Sequence, residues 1–304
     1  MRALVTGAHG FVGHHLMAHL HEAGDHVIGV DRHPDGVDIM DAEAITKLVA
    51  DVAPEVIYHL AGWADVGGSW KAPVEAFRVN AEGTLNVLNA ATDVGVERVL
   101  AVSSADVYGK VTTDELPLTE DSPLRPASPY AASKVAADYL GLQAWLGRGL
   151  PVLRVRAFNH LGPGQTDKFV APALASRIAR AEVEGGDVLT IGNLTARRDF
   201  TDVRDVVRAY RLLVLHGEPG EVYNVCSGHD LAVQDLADTL LAMARRPLRF
   251  ETDPELLRPV DVPVLRGSHQ RLTAATGWTP EISIDRTLAD LLADWRGRVG
   301  AASA

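Results

Sequence analysis

The chain has only one cysteine, Cys226, among its 304 residues. An internal disulfide needs two cysteines, so a disulfide framework is excluded and a reducing compartment is indicated. Cys226 directly follows the apolar run at 222–225, a position that predicts a small, buried side chain. We therefore expect a cytoplasmic protein whose stability comes from an apolar core.

Long hydrophobic runs and positive charge are also scarce. No apolar stretch approaches about 18 residues, so no membrane span is predicted, and the first residues indicate a strand rather than a signal peptide. Lys and Arg number 29 against 40 Asp and Glu, which gives a formal net charge of −11. This imbalance argues against nucleic acid or an anionic membrane as a partner. Hydrophobic residues make up 47% of the chain, which is typical of an ordered globular protein.

Strand and helix patterns alternate along the first half of the sequence. Apolar runs predict strands at 26–30, 55–60, 97–102 and 151–156, and helical patterns lie near 10–23, 41–51, 72–94 and 128–147. Such alternation predicts an α/β fold with a parallel sheet that helices cover on both faces. After about residue 160 the pattern becomes irregular, which predicts a smaller second lobe.

Three glycines follow the first predicted strand at residues 2–6. Gly7, Gly10 and Gly13 have the spacing G-x-x-G-x-x-G and lead directly into a helical pattern. Glycines at these positions allow a tight turn and close backbone approach to a pyrophosphate, and the helix amino terminus offers its N–H groups to the anion. The sequence therefore predicts a Rossmann-type, doubly wound parallel sheet that binds a dinucleotide.

A carboxylate, Asp31, ends the second predicted strand, about 20 residues beyond the glycines. This position suits the two hydroxyls of an adenosine ribose, and its charge repels a 2′-phosphate. Arg32 follows at once, and its guanidinium is able to accept such a phosphate. We expect NAD(H) as the cofactor, with NADP(H) as the alternative.

Tyr130 and Lys134 stand four residues apart within a predicted helix. They share one helix face, and a nearby cation is expected to lower the pKa of the phenol toward working pH. Tyr130 is thus a candidate acid or base for a carbonyl–alcohol interconversion. Ser104, near the end of the strand predicted at 97–102, is a candidate to share the same substrate oxygen, and Asp106 either joins the site or caps a turn.

These features combine with further motifs into a family resemblance. The motifs are Thr6-Gly7-x-x-Gly10-Phe11-x-Gly13, His59-Leu60-Ala61-Gly62, Val79-Asn80-x-x-Gly83-Thr84, Ser104 and Tyr130-x-x-x-Lys134. Over essentially its whole length the chain resembles the extended short-chain dehydrogenase/reductase (NAD-dependent epimerase/dehydratase) family, whose members act on nucleotide-diphosphate sugars. Within that family, the segments at 103–109, 158–165, 223–228, 265–269 and 276–278 are most similar to reductases of GDP-6-deoxy-4-keto-mannose.

The resemblance implies roles for individual residues. The catalytic residues would be Ser104, Tyr130 and Lys134, with Asp106 as an auxiliary candidate. The cofactor would contact Gly7, His9, Gly10, Phe11, Val12, Gly13, Asp31, Arg32, Asp38, Ile39, Leu60, Ala61, Gly62, Asn80, Tyr130 and Lys134. The nucleotide sugar would contact Ser104, Asn159, Lys168, Arg198, Arg258 and Asp261. Residues 1–158 with roughly 196–228 would form the NAD(P)-binding domain, and 159–195 with 229–304 the nucleotide-sugar-binding lobe.

The expected reaction is NAD(P)H-dependent reduction of the C4 ketone of a nucleotide-diphosphate 4-keto-6-deoxy sugar, from GDP-4-keto-6-deoxymannose to GDP-D-rhamnose. A 4-epimerase or 4,6-dehydratase with tightly bound NAD is an alternative, and a non-catalytic nucleotide-sensing domain is another. Dehydratases of the family usually carry a threonine and, two residues later, a glutamate, where this chain has Ser104 and Asp106. The shorter carboxylate disfavours dehydration because small misplacements of a catalytic group are costly. The intact Ser104, Tyr130 and Lys134 set disfavours a sensor.

Two further expectations concern metals and assembly. His15 and His19 are four residues apart on the first predicted helix, but no HExxH pattern or third ligand accompanies them. We therefore expect exposed helix histidines and no metal site. The long helical patterns at 72–94 and 128–147 are expected to pair with their copies in a second subunit, which predicts a homodimer.

Overall fold

The computed structural model describes residues 1–192, 194–253 and 262–302; the predicted substrate contacts Arg258 and Asp261 lie outside these residues. The described strands are β1 (Arg2–Thr6), β2 (His26–Val30), β3 (Val56–His59), β4 (Arg98–Ser104), β5 (Val152–Ala157), β6 (Asn159–Leu161), β7 (Val188–Ile191), β8 (Arg197–Asp202), β9 (Val222–Val225), β10 (Asp230–Ala232), β11 (Arg249–Thr252) and β12 (Val264–Leu265). The α-helices are α1 (Phe11–Glu22), α2 (Ala42–Val52), α3 (Val66–Ser69), α4 (Pro73–Phe77), α5 (Gly83–Val94), α6 (Pro129–Arg148), α7 (Val170–Glu184), α8 (Val203–His216), α9 (Val233–Ala242), α10 (Gln270–Thr276) and α11 (Ile284–Ala302). Within the described part of the chain, no helix combines the length and the apolar character that crossing a membrane requires.

Six parallel strands form the central sheet in the order β2-β1-β3-β4-β5-β9. Helices α1 and α8 contribute to the apolar core on one face of this sheet. Helices α2, α5 and α6 contribute to the core on the other face. The predicted α/β, Rossmann-type doubly wound architecture is confirmed.

The first strand shows why the sheet is so apolar. Ala3 and Val5 belong to the core under α1 and α8, whereas Leu4 belongs to the core under α2 and α5. All three side chains are fully buried. A strand with helices on both faces has no polar face, so its sequence is a continuous apolar run rather than an alternating one.

The strand order reverses beside β1. The chain passes from β1 to β2 on one side and then crosses to β3 on the other side of β1. In open parallel sheets a crevice forms outside the carboxyl ends of the strands at such a reversal, and ligands bind there. The segments that follow β1, β3 and β4 therefore line one crevice.

A second group of strands surrounds β8. Strands β6 and β12 pair with β8 in parallel, and β10 pairs with it antiparallel. Strands β7 and β11 form a separate parallel pair. Helices α7, α9 and α11 supply a second apolar core for this part of the chain. These elements lie where the sequence pattern becomes irregular, and the domain boundaries given above stay a prediction.

The helical pattern predicted over 72–94 forms three consecutive segments rather than one helix. Helix α4 begins with Pro73, a π-helical turn follows at Arg78–Glu82, and α5 begins at Gly83. A π turn widens the backbone hydrogen-bond ladder and is frequent at functional sites. Asn80, a predicted cofactor contact, lies within this turn.

Candidate active site

The glycine loop closes tightly over the end of β2. Gly7 adopts a φ of 75°, and the backbone nitrogens of Gly7 and Ala8 donate to Val30 O over 2.9 and 3.2 Å. A Cβ atom on Gly7 would lie only 2.7 Å from the nitrogen of Ala61. The loops after β1 and β3 thus approach each other more closely than any side chain at Gly7 would permit.

Helix α1 begins within the same loop. Its N-cap is Gly10, so no side chain caps the first turn. A Cβ atom on Gly13 would lie 2.2 Å from Gly7 O, which shows how closely the helix packs on the loop. The N–H groups of a first helical turn lack intrahelical acceptors and favour an anion. These residues fit the pyrophosphate of a dinucleotide.

The turn after β2 carries the predicted ribose carboxylate. Asp31 Oδ1 accepts from the backbone nitrogen of Arg32 over 2.7 Å, and Asp31 Oδ2 accepts from that of His9 over 3.3 Å. Two backbone donors therefore hold the carboxylate beside the glycine loop. Asp38 and Ile39 follow; Asp38 Oδ1 caps the next turn through Met40 N at 2.9 Å, and Ile39 is buried.

Asn80 ties the segment after β3 to helix α6. Its Oδ1 atom accepts from Trp63 N over 2.8 Å, and its Nδ2 atom donates to Ser133 Oγ over 2.8 Å and to Trp63 O over 3.2 Å. A Cβ atom on Gly62 would lie 2.7 Å from Asn80 Oδ1 and 3.5 Å from Lys134 Nζ. The segment Leu60-Ala61-Gly62 is thus held against α6. The predicted direct contact of Asn80 with the cofactor stays a prediction.

Tyr130 lies in the first turn of α6. Ser128 caps this helix through Ala131 N, and the backbone nitrogen of Tyr130 donates to Ser69 Oγ over 3.1 Å. The phenol is buried, and the side chain of Ser104 is near enough to lower its pKa as a hydrogen-bond partner. Two side chains predicted as catalytic are therefore neighbours.

The expected lowering of the pKa of Tyr130 is wrong. Burial raises the pKa of Tyr130, and the negative charge of Asp106 raises it further, while the hydrogen bond with Ser104 acts in the opposite direction. Lys134 is itself buried; its Nζ atom donates to Val102 O over 3.0 Å, and burial lowers its pKa to about 8. Loss of hydration dominates both groups, because the charged form of each is disfavoured away from water. Tyr130 consequently holds its proton at neutral pH.

Ser104 and Asp106 lie at the carboxyl end of β4. Ser104 Oγ accepts from Asp106 N over 3.1 Å and so caps the short 3₁₀ turn at Ala105–Tyr108. The carboxylate of Asp106 is close enough to Tyr130 to raise its pKa. The turn is thus capped by Ser104 rather than by Asp106, and the auxiliary role of Asp106 in the site stays a prediction.

A buried ionic network below this turn was missed from the sequence. Asp138 accepts from Arg154 over 2.6 Å and from Arg156 over 2.7 Å, and Arg156 donates to Tyr108 OH over 3.1 Å. The network joins α6, β5 and the turn that holds Ser104. Asp138 lies four residues after Lys134 and so shares its helix face, a spacing that would have identified it.

His59 is a second group that sequence reasoning left without a role. Its ring nitrogens lie 2.8 Å from Thr6 Oγ1 and 3.0 Å from Thr84 Oγ1. Burial lowers the pKa of His59 to about 3, with a smaller contribution from the charge of Lys134. The neutral ring therefore fastens β1, β3 and α5 together below the crevice.

The predicted substrate contacts are only partly gathered. Asn159 is exposed on β6, directly beyond the end of β5, where Ala157 pairs with Ser104. Arg198 lies on β8, the strand that pairs with β6, and its Nη1 atom donates to Arg197 O over 2.8 Å. Lys168 is exposed before α7. The roles of all three stay predictions.

The histidines of α1 differ from their predicted exposure. His15 is half-buried, and its Nε2 atom lies 2.7 Å from Pro163 O. The ring of Phe11 stacks on that of His160 with centroids 6.1 Å apart. The start of α1 is thus packed against the loop that follows β6. Across residues 1–192, 194–253 and 262–302, no group of three His, Cys, Asp or Glu side chains is arranged to hold a metal ion.

The chain is similar to known proteins in sequence and in fold. The chain is 40% identical over 301 residues to GDP-6-deoxy-D-mannose reductase of Pseudomonas aeruginosa, with 98% of each chain covered. The structure of RMD from P. aeruginosa complexed with NADPH matches with a TM-score of 0.90 at 39% identity, over 98% of this chain and 100% of that one. UDP-glucose 4-epimerase of Thermus thermophilus in complex with NAD matches with a TM-score of 0.88 at 30% identity, over 98% and 99%. Residues 3–226 match the sequence pattern of one family, and the chain therefore belongs to the NAD dependent epimerase/dehydratase family.

Proposed function

We propose that this protein reduces the C4 ketone of a nucleotide-diphosphate 4-keto-6-deoxy sugar with NAD(P)H, converting GDP-4-keto-6-deoxymannose to GDP-D-rhamnose. The observation that carries the proposal is the buried phenol of Tyr130 with Ser104 as its neighbour at the carboxyl end of β4. The identity to a GDP-6-deoxy-D-mannose reductase over nearly the full chain supports this choice of substrate.

The chain's own residues supply the proton side of the reaction. A reduced nicotinamide, when bound, supplies a hydride to the ketone carbon. Tyr130, whose pKa is raised by burial and by Asp106, holds a proton that it donates to the carbonyl oxygen. Ser104, the neighbour of this phenol, contacts the same oxygen in the proposed reaction. Lys134, one helical turn further on, provides a positive charge on the same face as the phenolate that remains.

Asp106 bears on the choice between reduction and dehydration. Dehydration requires a carboxylate that removes a proton from the sugar, whereas reduction requires a phenol that donates one to the ketone oxygen. The carboxylate of Asp106 raises the pKa of Tyr130, so the phenol is protonated when the ketone arrives. A protonated Tyr130 supports a reductase.

The deciding experiment offers GDP-4-keto-6-deoxymannose with NADH or NADPH to the purified protein. We expect stoichiometric oxidation of the nucleotide and, by NMR, a product with a C4 hydroxyl in the configuration of GDP-D-rhamnose. GDP-mannose, which has no ketone, is the matched control and should leave the nucleotide reduced. Interconversion of UDP-glucose and UDP-galactose by protein-bound NAD, without consumption of added nucleotide, would instead identify an epimerase. Nucleotide binding without turnover of any sugar would identify a sensor.

A homodimer is part of the proposal. Helices α4 and α6 pack on each other, and they and the residue after α3 expose five large apolar side chains: Trp70, Val74, Phe77, Tyr139 and Leu146. Val74 is 71% exposed and Leu146 is 73% exposed. Large exposed apolar side chains gathered on neighbouring helices are typical of an interface, and pairing with the same face of a second copy forms a closed dimer.

The double variant Val74→Arg, Leu146→Arg is expected to be a monomer of about the chain mass, 32.6 kDa. Two uncompensated charges buried in an interface oppose association by several kcal/mol. Sedimentation velocity at micromolar concentration measures the mass. Val183→Arg is the matched control, since Val183 on α7 is also exposed, and it should leave a dimer. A wild-type monomer, or a double variant that remains dimeric, contradicts the assignment.

The proposal also covers the cellular compartment of the protein and the parts of the chain that bind the cofactor and the nucleotide sugar. A single, buried cysteine, Cys226, supports a reducing, cytoplasmic location. We assign cofactor binding to residues 1–158 with roughly 196–228, and nucleotide-sugar binding to 159–195 and 229–304. The glycine loop and Tyr130 in the first set, and Asn159 in the second, support this division.

A further inference from the structure

The turn after β2 carries a second carboxylate beside the predicted ribose site. Asp35 Oδ2 accepts from the backbone nitrogen of Asp31 over 2.9 Å. The same oxygen accepts from His9 Nε2 over 3.0 Å. Gly36, with a φ of 72°, closes the turn through a 3.1 Å bond from its nitrogen to Arg32 O. Asp35 therefore connects the end of β2 to the glycine loop.

Negative charges outnumber permanent positive charges around this turn, and one nearby hydrogen-bond donor is already engaged. Asp31 and Asp35 place two carboxylates within one short turn, and the side chains of Asp35 and His9 are 33% and 42% exposed. His9 already donates its Nε2–H to Asp35, so this donor is not free for another anion. Arg32 is the one residue between the two carboxylates with a permanent positive charge. A phosphate brought to this turn meets more negative than positive charge.

The carboxylate of Asp31 retains capacity for a neutral ribose. An ionised carboxylate has about four acceptor positions, and backbone donors use two of them here. The two that remain match the two hydroxyls of an unmodified ribose. A 2′-phosphate removes one of these hydroxyl donors and adds about two negative charges.

We propose that Asp35, together with Asp31, makes this protein prefer NADH to NADPH. Asp35 adds negative charge near the 2′ position and accepts the His9 Nε2–H that a 2′-phosphate would otherwise bind. The inference rests on the proposed function only in requiring a dinucleotide at the glycine loop. The proposed preference for NADH differs from the nucleotide in the P. aeruginosa structure, which is complexed with NADPH. Asp35 is a specificity residue and takes no part in proton or hydride transfer.

The test measures binding rather than turnover. Dissociation constants for NADH and NADPH, and for the fragments 5′-AMP and 2′,5′-ADP, are determined by calorimetry on the full chain without sugar substrate. We expect wild-type protein to bind NADH at least about tenfold more tightly than NADPH, since one like-charge contact near a protein surface is worth about that factor. The fragments should show the same order.

Asp35→Asn is the decisive variant because the amide oxygen still accepts from Asp31 N while the charge is removed. We expect NADPH and 2′,5′-ADP to bind about tenfold more tightly, with NADH and 5′-AMP unchanged. Asp51→Asn, an exposed carboxylate near the far end of α2, is the matched control and should change neither constant.

Three outcomes overturn the inference: equal affinity of the wild type for both dinucleotides, an Asp35→Asn ratio equal to that of the wild type, or no binding of either nucleotide. Tighter binding of NADPH that is lost in Arg32→Ala would assign the 2′-phosphate to Arg32 instead. If the protein prefers NADH but does not reduce the ketone, the proposed reaction is wrong and this inference is still supported. Absence of all nucleotide binding would remove both.

Discussion

Replacing Tyr130 with phenylalanine is expected to lower kcat for ketone reduction by about 10²–10⁴-fold, the usual contribution of a positioned general acid. The substitution removes only the hydroxyl, whose neighbour is the side chain of Ser104. Burial and Asp106 raise the pKa of this phenol, so at neutral pH it carries the proton that the forming alcohol needs. Phenylalanine retains the packing of the ring but has no proton to give.

Steady-state oxidation of the nucleotide measures kcat, and a separate titration measures nucleotide affinity, which we expect to survive. Tyr139→Phe is the matched control, because it removes the same hydroxyl from an exposed ring on the same helix; its kcat should equal that of the wild type. Unchanged kcat in Tyr130→Phe would exclude Tyr130 as the proton donor. Loss of nucleotide binding together with kcat would point to structural damage instead.

Contacts from distant parts of the chain fix the orientation of this donor. The Tyr130 backbone donates to Ser69 Oγ, and its carbonyl accepts from Ser133 Oγ over 2.7 Å. Ser133 in turn accepts from Asn80 in the π turn. The segments after β3 and before α5 are thus linked to the first turn of α6.

Local features of the site were predictable from the sequence. Gly7 and Gly10 lie between β1 and α1, Gly13 lies in the first turn of α1, and the pattern that reveals all three spans only seven residues. Tyr130 and Lys134 share a helix face because four residues make about one turn. The alternation of strands and helices likewise depends on short-range periodicity, which is why the fold class and most of the early elements were predicted correctly.

Features that depend on tertiary burial were not predictable in this way. The pKa of Tyr130 rises because surrounding chain excludes water, and no local spacing reports that exclusion. Asp138 finds Arg154 and Arg156 sixteen and eighteen residues away on a neighbouring strand. The 72–94 pattern is divided by a π turn that contains Asn80, and the partners of this side chain, Trp63 and Ser133, lie in other segments.

Replacing Gly13 with alanine is expected to weaken dinucleotide binding by about a hundredfold or more, equivalent to the loss of about two charge-assisted hydrogen bonds. The new Cβ atom would lie 2.2 Å from Gly7 O and 2.5 Å from Ala8 O. Both are backbone atoms, so the helix and the glycine loop must separate. The free energy of unfolding should fall by about 1–3 kcal/mol, the usual cost of overpacking.

Gly297→Ala separates this steric effect from helix propensity. Gly297 lies within α11, and a Cβ atom added there meets no atom within 4 Å. Alanine should therefore stabilise the protein by up to about 1 kcal/mol and leave nucleotide affinity unchanged. Calorimetric titration and urea unfolding of both variants give the comparison. If Gly13→Ala behaved like Gly297→Ala, the close contact between α1 and the loop would not be what presents the helix amino terminus to the pyrophosphate, and the cofactor site would have to be sought elsewhere on the crevice.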